Sequence, residues 1–244
     1  NTFNVDDVGY ATAAAAGLDG GTATVTGASV GTKQGFSIIK FHTAGTNSGA
    51  TIPHGLSKSP DLIVAKALNV TLNWKIYHSS LGNDYFLEFD TDAKYNVSNY
   101  WGVTSSVFEA DASGDLDLGS PGCIAYCWHN VPGLQKFGTL STNGTTDNAF
   151  VELGFKPKLV FWKFKDNTGG WFLYDSERTT YANGNPLGKY IELNSANAEG
   201  DATPVVDFLS NGFKTRHNFG GTAQTMVYAA WAEAPSIDLY GGGA

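Results

Sequence analysis

The chain has 244 residues, of which 42% are apolar and only 16% charged, with 30 glycines and a formal charge of −8. Such a composition fits a folded protein with a polar, weakly charged surface and excludes a disordered one, which would need fewer apolar residues. The 15 basic residues are thinly spread, so phosphate neutralisation and nucleic-acid binding are not expected. No run approaches the roughly 20 apolar residues of a membrane span, and no membrane insertion is expected.

In chain order, residues 1–35 stand apart as a lead-in. Ala11 to Ala16 is almost all alanine, and Asp19 to Lys33 is dominated by Gly, Thr, Ala, Ser and Val. This pattern predicts a short helical turn followed by a linker or a loose edge strand. From Gly35 onward short apolar runs alternate with Gly, Asn, Asp and Ser clusters, the spacing of β-sandwiches and barrels. Strands are predicted at Phe36 to Phe41, Leu62 to Lys66, Trp74 to His78, Tyr85 to Phe89 and Cys123 to Trp128. They resume at Phe150 to Leu153, Leu159 to Lys163, Trp171 to Asp175, Tyr190 to Leu193, Val205 to Leu209 and Thr225 to Trp231. Trp74 and Ile76 alternate with Lys75 and Tyr77, which predicts one buried and one wetter face. Cys123 and Cys127 lie about 13 Å apart on one extended strand, beyond disulfide reach, and read as two buried thiols.

The two series of strands match in order and kind. Pro60 with Leu62 to Lys66 recurs as Pro157 with Leu159 to Lys163, and Trp74-Lys-Ile-Tyr-His-Ser recurs 97 residues on as Trp171-Phe-Leu-Tyr-Asp-Ser. Lys40-Phe41 is matched to Lys136-Phe137, Phe86-Leu-Glu-Phe to Tyr190-Ile-Glu-Leu, and Trp128 with Pro132 to Trp231 with Pro235. The offset drifts only between strands, as it should in a duplicated β domain, because loops tolerate insertions. The expected fold is therefore all-β: tandem sandwich-like halves at 36–132 and 133–244, preceded by the Ala-rich turn and linker. The four recurring tryptophans, Trp74, Trp128, Trp171 and Trp231, are assigned to the two cores.

Catalytic constellations are weak. Tyr77-His78-Ser79 and Tyr174-Asp175-Ser176 lack the strained elbow of a working nucleophile, so His78 and Asp175 read as residues that start turns. Glu88 with Glu192, or Asp175 with Glu177, could serve a glycosidase only at a fixed gap that sequence does not reveal. Asp111, Ser113, Asp115 and Asp117 alternate as in a calcium loop, but Leu116 stands where the required glycine would be. The five histidines, at 42, 54, 78, 129 and 217, show no metal-ligand spacing, so no metal or other cofactor is predicted. Tyr100 and Trp101, in an Asn- and Ser-rich loop, are the leading candidates for exposed rings that stack on a ligand, with Tyr181 in the loop Thr179 to Gly188 as a further one.

Several of these segments, in order, resemble a known family. Gly35-Phe-Ser-Ile-Ile-Lys-Phe, His54-Gly-Leu before Pro60, Trp74 to Leu81, Ala125-Tyr-Cys-Trp, Gly154-Phe-Lys-Pro, Phe208-Leu-Ser-Asn-Gly-Phe-Lys and Ala230-Trp-Ala-Glu-Ala-Pro carry the resemblance. The family is the duplicated β domain near the C-terminus of tail-fibre-like virion proteins of marine tailed bacteriophages, cyanophages among them. The resemblance implies a virion component assembled in the host cytoplasm, homo-oligomeric with a trimer favoured, in contact with other virion proteins. It further implies attachment to a host-surface glycan or protein without catalysis. The alternatives are a capsid-decorating or purely structural fibre and, in a different class, a glycan depolymerase.

Overall fold

The computed structural model describes residues 2–45, 49–89, 91, 93–110, 115–116, 118–165, 168–179 and 184–233. The chain forms two compact units, one of Asn1–Phe89 with Tyr95–Asn130 and one of Asp90–Lys94 with Val131–Ala244. Both are built from β-strands.

In the first unit the strands are β1 (Phe3–Val5), β2 (Val8–Tyr10), β3 (Thr24–Gly31), β4 (Phe36–His42), β5 (Thr51–Pro53), β6 (Leu62–Ala67), β7 (Lys75–His78), β8 (Tyr85–Glu88), β9 (Lys94–Asn96), β10 (Trp101–Val103), β11 (Val107–Ala110) and β12 (Cys123–Trp128). A nine-stranded sheet runs β2-β1-β3-β4-β12-β6-β7-β8-β9, and a three-stranded sheet runs β10-β11-β5. Alternation decides what faces the core. On β12, Cys123, Ala125 and Cys127 are fully buried, while Ile124, Tyr126 and Trp128 take the opposite face. Neither thiol is in a disulfide. Phe41, Ile63, Ala65 and Tyr77 join them from the large sheet, and Ile52, Trp101 and Phe108 from the small one.

The lead-in is part of this unit. Residues 11–17 make a turn, with the Ala16 amide donating to the Thr12 carbonyl at 3.2 Å, and Leu18 is 1% exposed. The stretch read as a linker or loose edge strand contains β3, which pairs with β4 on one side and with β1 on the other. Val25 and Val30 explain its place, since their burial in the core outweighs the low strand propensity of the glycines around them.

In the second unit the strands are β13 (Gln135–Ser141), β14 (Phe150–Glu152), β15 (Pro157–Phe164), β16 (Trp171–Asp175), β17 (Leu187–Glu192), β18 (Gly200–Leu209), β19 (Gly212–Thr215) and β20 (Thr225–Ala232). They form one sheet in the order β13-β20-β15-β16-β17-β18-β19-β14. Its core draws Val160, Trp162 and Tyr174 from one part of the sheet and Val206, Phe208 and Phe213 from the other.

The order β4-β12-β6-β7-β8 is repeated as β13-β20-β15-β16-β17, and β10-β11-β5 as β18-β19-β14. Register repeats as well: Leu62 lies opposite Trp128 and His78, and Leu159 opposite Trp231 and Asp175. One sequence match shifts. Phe36 faces Trp128 and Gln135 faces Trp231, so Phe36 corresponds to Gln135 and Phe41 to Leu140, not to Phe137. The Lys-Phe dipeptide is a coincidence of composition three residues out of register.

The recurring tryptophans lie outside the two main core clusters; Trp171 is nevertheless fully buried, at 1% exposure, while Trp74, Trp128 and Trp231 are only partly buried. They stand on the opposite sheet faces, in rows of rings: Phe36 to Trp128 at 4.8 Å, Trp128 to Tyr126 at 6.3 Å and Tyr126 to Trp74 at 6.3 Å in the first unit. In the second, Phe137 to Trp231 is 5.6 Å, Trp231 to Phe161 5.5 Å and Phe161 to Trp171 5.8 Å. Each row ends in the same clasp. The Lys66 ammonium lies 6.0 Å from the Trp74 ring and donates to the Leu72 carbonyl; that of Lys163 lies 5.9 Å from Trp171 and donates to the Gly169 carbonyl at 2.6 Å. The clasp ties the strand to the loop that returns from it, which explains why Lys and Trp recur together.

Candidate functional site

Tyr100 and Trp101 are not surface rings. Each is 1% exposed. Tyr100 lies 4.2 Å from Phe86, and Trp101 5.7 Å from Tyr77 and 6.5 Å from Phe108, because β10 turns the indole into the core. A ring this size contributes several kcal/mol by burial, which overrides the polar loop around it. Tyr181 lies outside the described residues, as do Asp111, Ser113 and Asp117 of the calcium-like run. Asp115 of that run is ion-paired with Lys75 at 2.9 Å.

The suspected catalytic residues are occupied in structure. His78 Nδ1 accepts the Ser80 amide at 3.2 Å and caps the 3-10 turn Ser79–Leu81, while the Ser79 hydroxyl donates to Asp61 Oδ1 at 3.1 Å. At the equivalent position Asp175 Oδ1 accepts the Glu177 and Arg178 amides, both at 3.0 Å. Burial would push the Asp175 carboxyl up, but hydrogen bonds from Arg178 hold it below the ordinary carboxylate range. Both residues start turns, as expected of them. Glu88 and Glu192 lie in different units, and Glu177 pairs with Lys158 at the surface. Among the described residues no group of three or more His, Cys, Asp or Glu side chains is placed to hold a metal ion.

What separates the units is the inner face of the sheet around β7 and its counterpart β16. In the first unit Lys75 points inward instead of toward the wetter face that its alternation with Trp74 predicts. Its ammonium lies 2.6 Å from Glu88 Oε1, 2.9 Å from Asp115 Oδ2 and 4.4 Å from the centre of the Phe86 ring. Burial works against its charge, yet the bonds to Glu88 and Asp115 raise its pKa above the usual lysine value. Both faces of β7 are therefore covered. Glu88 and Lys75 are directly opposite in register, so the pair is set by the strands themselves.

In the second unit the same register puts Phe172 opposite Glu192, with Tyr190 in the place of Phe86 and Tyr174 in that of Tyr77. No lysine fills the space, and a cavity of about 240 Å³ opens there, lined almost entirely by aromatic and aliphatic groups. Trp162 and Tyr174 form its floor, stacked at 4.5 Å, and Phe172 meets Tyr190 edge to face at 5.5 Å. Phe219 closes another side, 6.2 Å from Trp162 and 6.1 Å from Phe164. Glycines seat two of these rings: a Cβ on Gly169 would collide with Phe164, and one on Gly200 with Tyr190.

Phe219 is held in an unusual way. Its φ is +45°, followed by +85° at Gly220 and +77° at Gly221, so three successive residues lie in the left-handed region. For a non-glycine residue this conformation costs about 1–3 kcal/mol, and such strain gathers at ligand clamps. Its amide donates to His217 Nδ1 at 2.9 Å, and the two rings lie 5.0 Å apart, so the histidine holds the phenyl against the cavity that both residues line. Burial first, and then the neighbouring Tyr190 and Glu192, push the Tyr174 hydroxyl well above the ordinary tyrosine range. It stays protonated.

Sequence reasoning did not find this pocket. Its signals are departures within the repeat, Lys75 against Phe172 and Ala65 against Trp162, which lie inside strands and not in the loops where Tyr100, Trp101 and Tyr181 drew attention.

No curated protein and no solved structure matches the chain. A family model described as a domain of unknown function, DUF7483, matches residues 9–235, a span that holds both repeats and the whole pocket, and the chain belongs to that family.

Proposed function

We propose that the chain is a non-catalytic attachment module of a virion fibre or spike, in which the second unit binds a host-surface group through the aromatic pocket. One observation carries this reading: two units of the same strand order and register differ where the first is filled by its own Lys75 and the second stands open. In a duplicated scaffold, a cavity that stands where the other copy places a buried lysine, and that is lined in part by a strained ring, is the kind of concave, mostly apolar site that small groups enter. The order of motifs from Gly35 to Pro235, which resembles the tail-fibre domain, supports the virion setting. Assembly as a homotrimer with other virion proteins goes with that setting.

The test is direct. Fluorescently labelled chain should bind susceptible cells and leave resistant ones dark, and Phe219→Ala should weaken binding at least tenfold without changing the circular dichroism spectrum. Failure to bind any susceptible cell would sink the attachment reading, and cell binding unaltered by Phe219→Ala would remove the pocket from it.

A further inference from the structure

The repeat tells what kind of group the pocket suits. In the first unit the space between β7, β8 and the small sheet holds a cation that belongs to the chain: the Lys75 ammonium on the face of Phe86, with Glu88 beside it. In the second unit three of the groups around that cation have counterparts. Tyr190 stands for Phe86, Tyr174 for Tyr77 and Glu192 for Glu88, on the same sheet face in the same register. The lysine, which in the first unit also pairs with Asp115, is replaced by a further ring, Phe172, and Ala65 of the adjoining strand by Trp162. A negative π-face is a site for a cation, and several such faces around a small dry space form the aromatic cage that holds quaternary ammonium groups.

We infer that the pocket of the second unit binds an alkylated ammonium headgroup of the choline type, seated among Trp162, Phe172, Tyr174, Tyr190 and Phe219, with Glu192 supplying the countercharge. This deepens, and rests on, the attachment reading above. Three observations favour this occupant over a sugar or a neutral apolar group. The cavity, at about 240 Å³, lies below the roughly 300 Å³ where drug-sized pockets begin, so it takes a headgroup and not an oligosaccharide. Its walls offer few polar atoms, whereas a sugar ring needs many; N-methyl groups need none. Glu192 stands beside the lining rather than in it: its charge acts on the Tyr174 hydroxyl, and its Oε2 is held by Ser195 at 2.9 Å and Asn197 at 2.7 Å.

The experiment uses the full chain and two probes of nearly the same shape, choline and its neutral isostere 3,3-dimethylbutan-1-ol, titrated by calorimetry and by ligand-observed NMR. Choline should bind at least tenfold more tightly than the alcohol. Phe219→Ala should reduce that affinity at least tenfold. Phe172→Lys, which restores the first unit's internal cation, should abolish choline binding by filling the cage; if that variant does not fold, Phe219→Ala still decides. Equal binding of choline and the alcohol overturns the cation assignment, and binding of neither overturns the site. Labelled chain that still attaches to cells while choline fails to bind or to compete overturns this inference alone and leaves the attachment reading intact.

Discussion

The two units solve one packing problem in two ways. In the first, β6 carries Ala65 on the core face and β10 carries Trp101; in the second, the matching positions are Trp162 on β15 and Val206 on β18. The indole has changed layers. All four side chains are buried, at 0–1% exposure, and neither Trp101 nor Trp162 has a hydrogen-bond partner for its Nε1 in the protein. A core fixes summed volume more tightly than it fixes any one residue, so a large–small pair can be inverted when both members change together. Beside this exchange the second unit also lost a buried ion pair and kept a cavity. The first unit fills this part of its core with Lys75, and the second leaves a cavity there.

Removing the ion pair from one side tests this most severely. Lys75→Ala would leave Glu88, 4% exposed, without its cation and should cost about 3–5 kcal/mol, measured as a fall in the urea midpoint. Replacing both partners, as Lys75→Met with Glu88→Leu, should recover most of that loss, because packed apolar groups substitute well for a buried pair. If the double replacement were as damaging as Lys75→Ala, the pair would not be the element that the second unit dispensed with.

The indole exchange predicts the next largest effect. Trp101→Val empties the first core and should cost about 3 kcal/mol, toward the lower end for large-to-small changes, while Ala65→Trp overpacks it by about 1–3 kcal/mol. Combined, they recreate the second unit's arrangement and should be less harmful than the sum, with a coupling of about 0.5–3 kcal/mol in a double-mutant cycle. Strict additivity would show that the two layers do not share one volume.

This exchange also explains how far the sequence could be read. The all-β class and the main strands of both repeats were legible because period-2 alternation and Gly- and Asn-rich breaks survive in both copies. The repeat misled on role. Recurrence predicts core and singularity predicts surface, yet Trp74, Trp128 and Trp231 recur on outer faces, while the unmatched Trp101 and Trp162 are core residues. For Trp74 and its counterpart Trp171, recurrence marks the Lys–Trp clasp, a pairwise contact in which both partners must be kept. The cores tolerate compensation, and compensation erases one-to-one matches. Lys75 was invisible as a core residue because nothing in the local pattern shows that Glu88, thirteen residues away, lies opposite it.

His54 sharpens the contrast by pH. The registers of β5 and β14 make it the counterpart of Leu153. Burial, and to a lesser degree His129, lower its pKa from 6.5 to about 4, against the opposing hydrogen bond to the Thr104 carbonyl. A folded-state pKa below the unfolded value means that the unfolded chain takes up the proton first. The contribution is thus complete above pH 6.5, declines as pH falls from 6.5 toward 4, and changes no further below that; the total is at most about 3 kcal/mol. His54→Leu, the second unit's own choice, should lower stability at pH 7 by about 1–3 kcal/mol, because the Leu56 amide loses its acceptor, and should remove this part of the pH dependence. Urea titrations at pH 7.5 and pH 4.5 on both proteins measure the difference, and an unchanged slope in the variant would place the proton uptake elsewhere.

The smallest effect belongs to the cysteines. Cys123 and Cys127 correspond to Met226 and Ala230, and all four are fully buried. Burial pushes the Cys127 thiol far above its usual value, so hardly any thiolate forms near neutrality. A buried thiol behaves as a small apolar group, so Cys127→Ala should change stability by only about 1 kcal/mol. In the native protein neither cysteine should react with iodoacetamide over hours, and both should react once the chain is unfolded in urea. Fast labelling of Cys127 in the native state would mean that the strand pairs β4–β12 and β12–β6 open readily. The first unit would then not be the closed core against which the pocket of the second is defined.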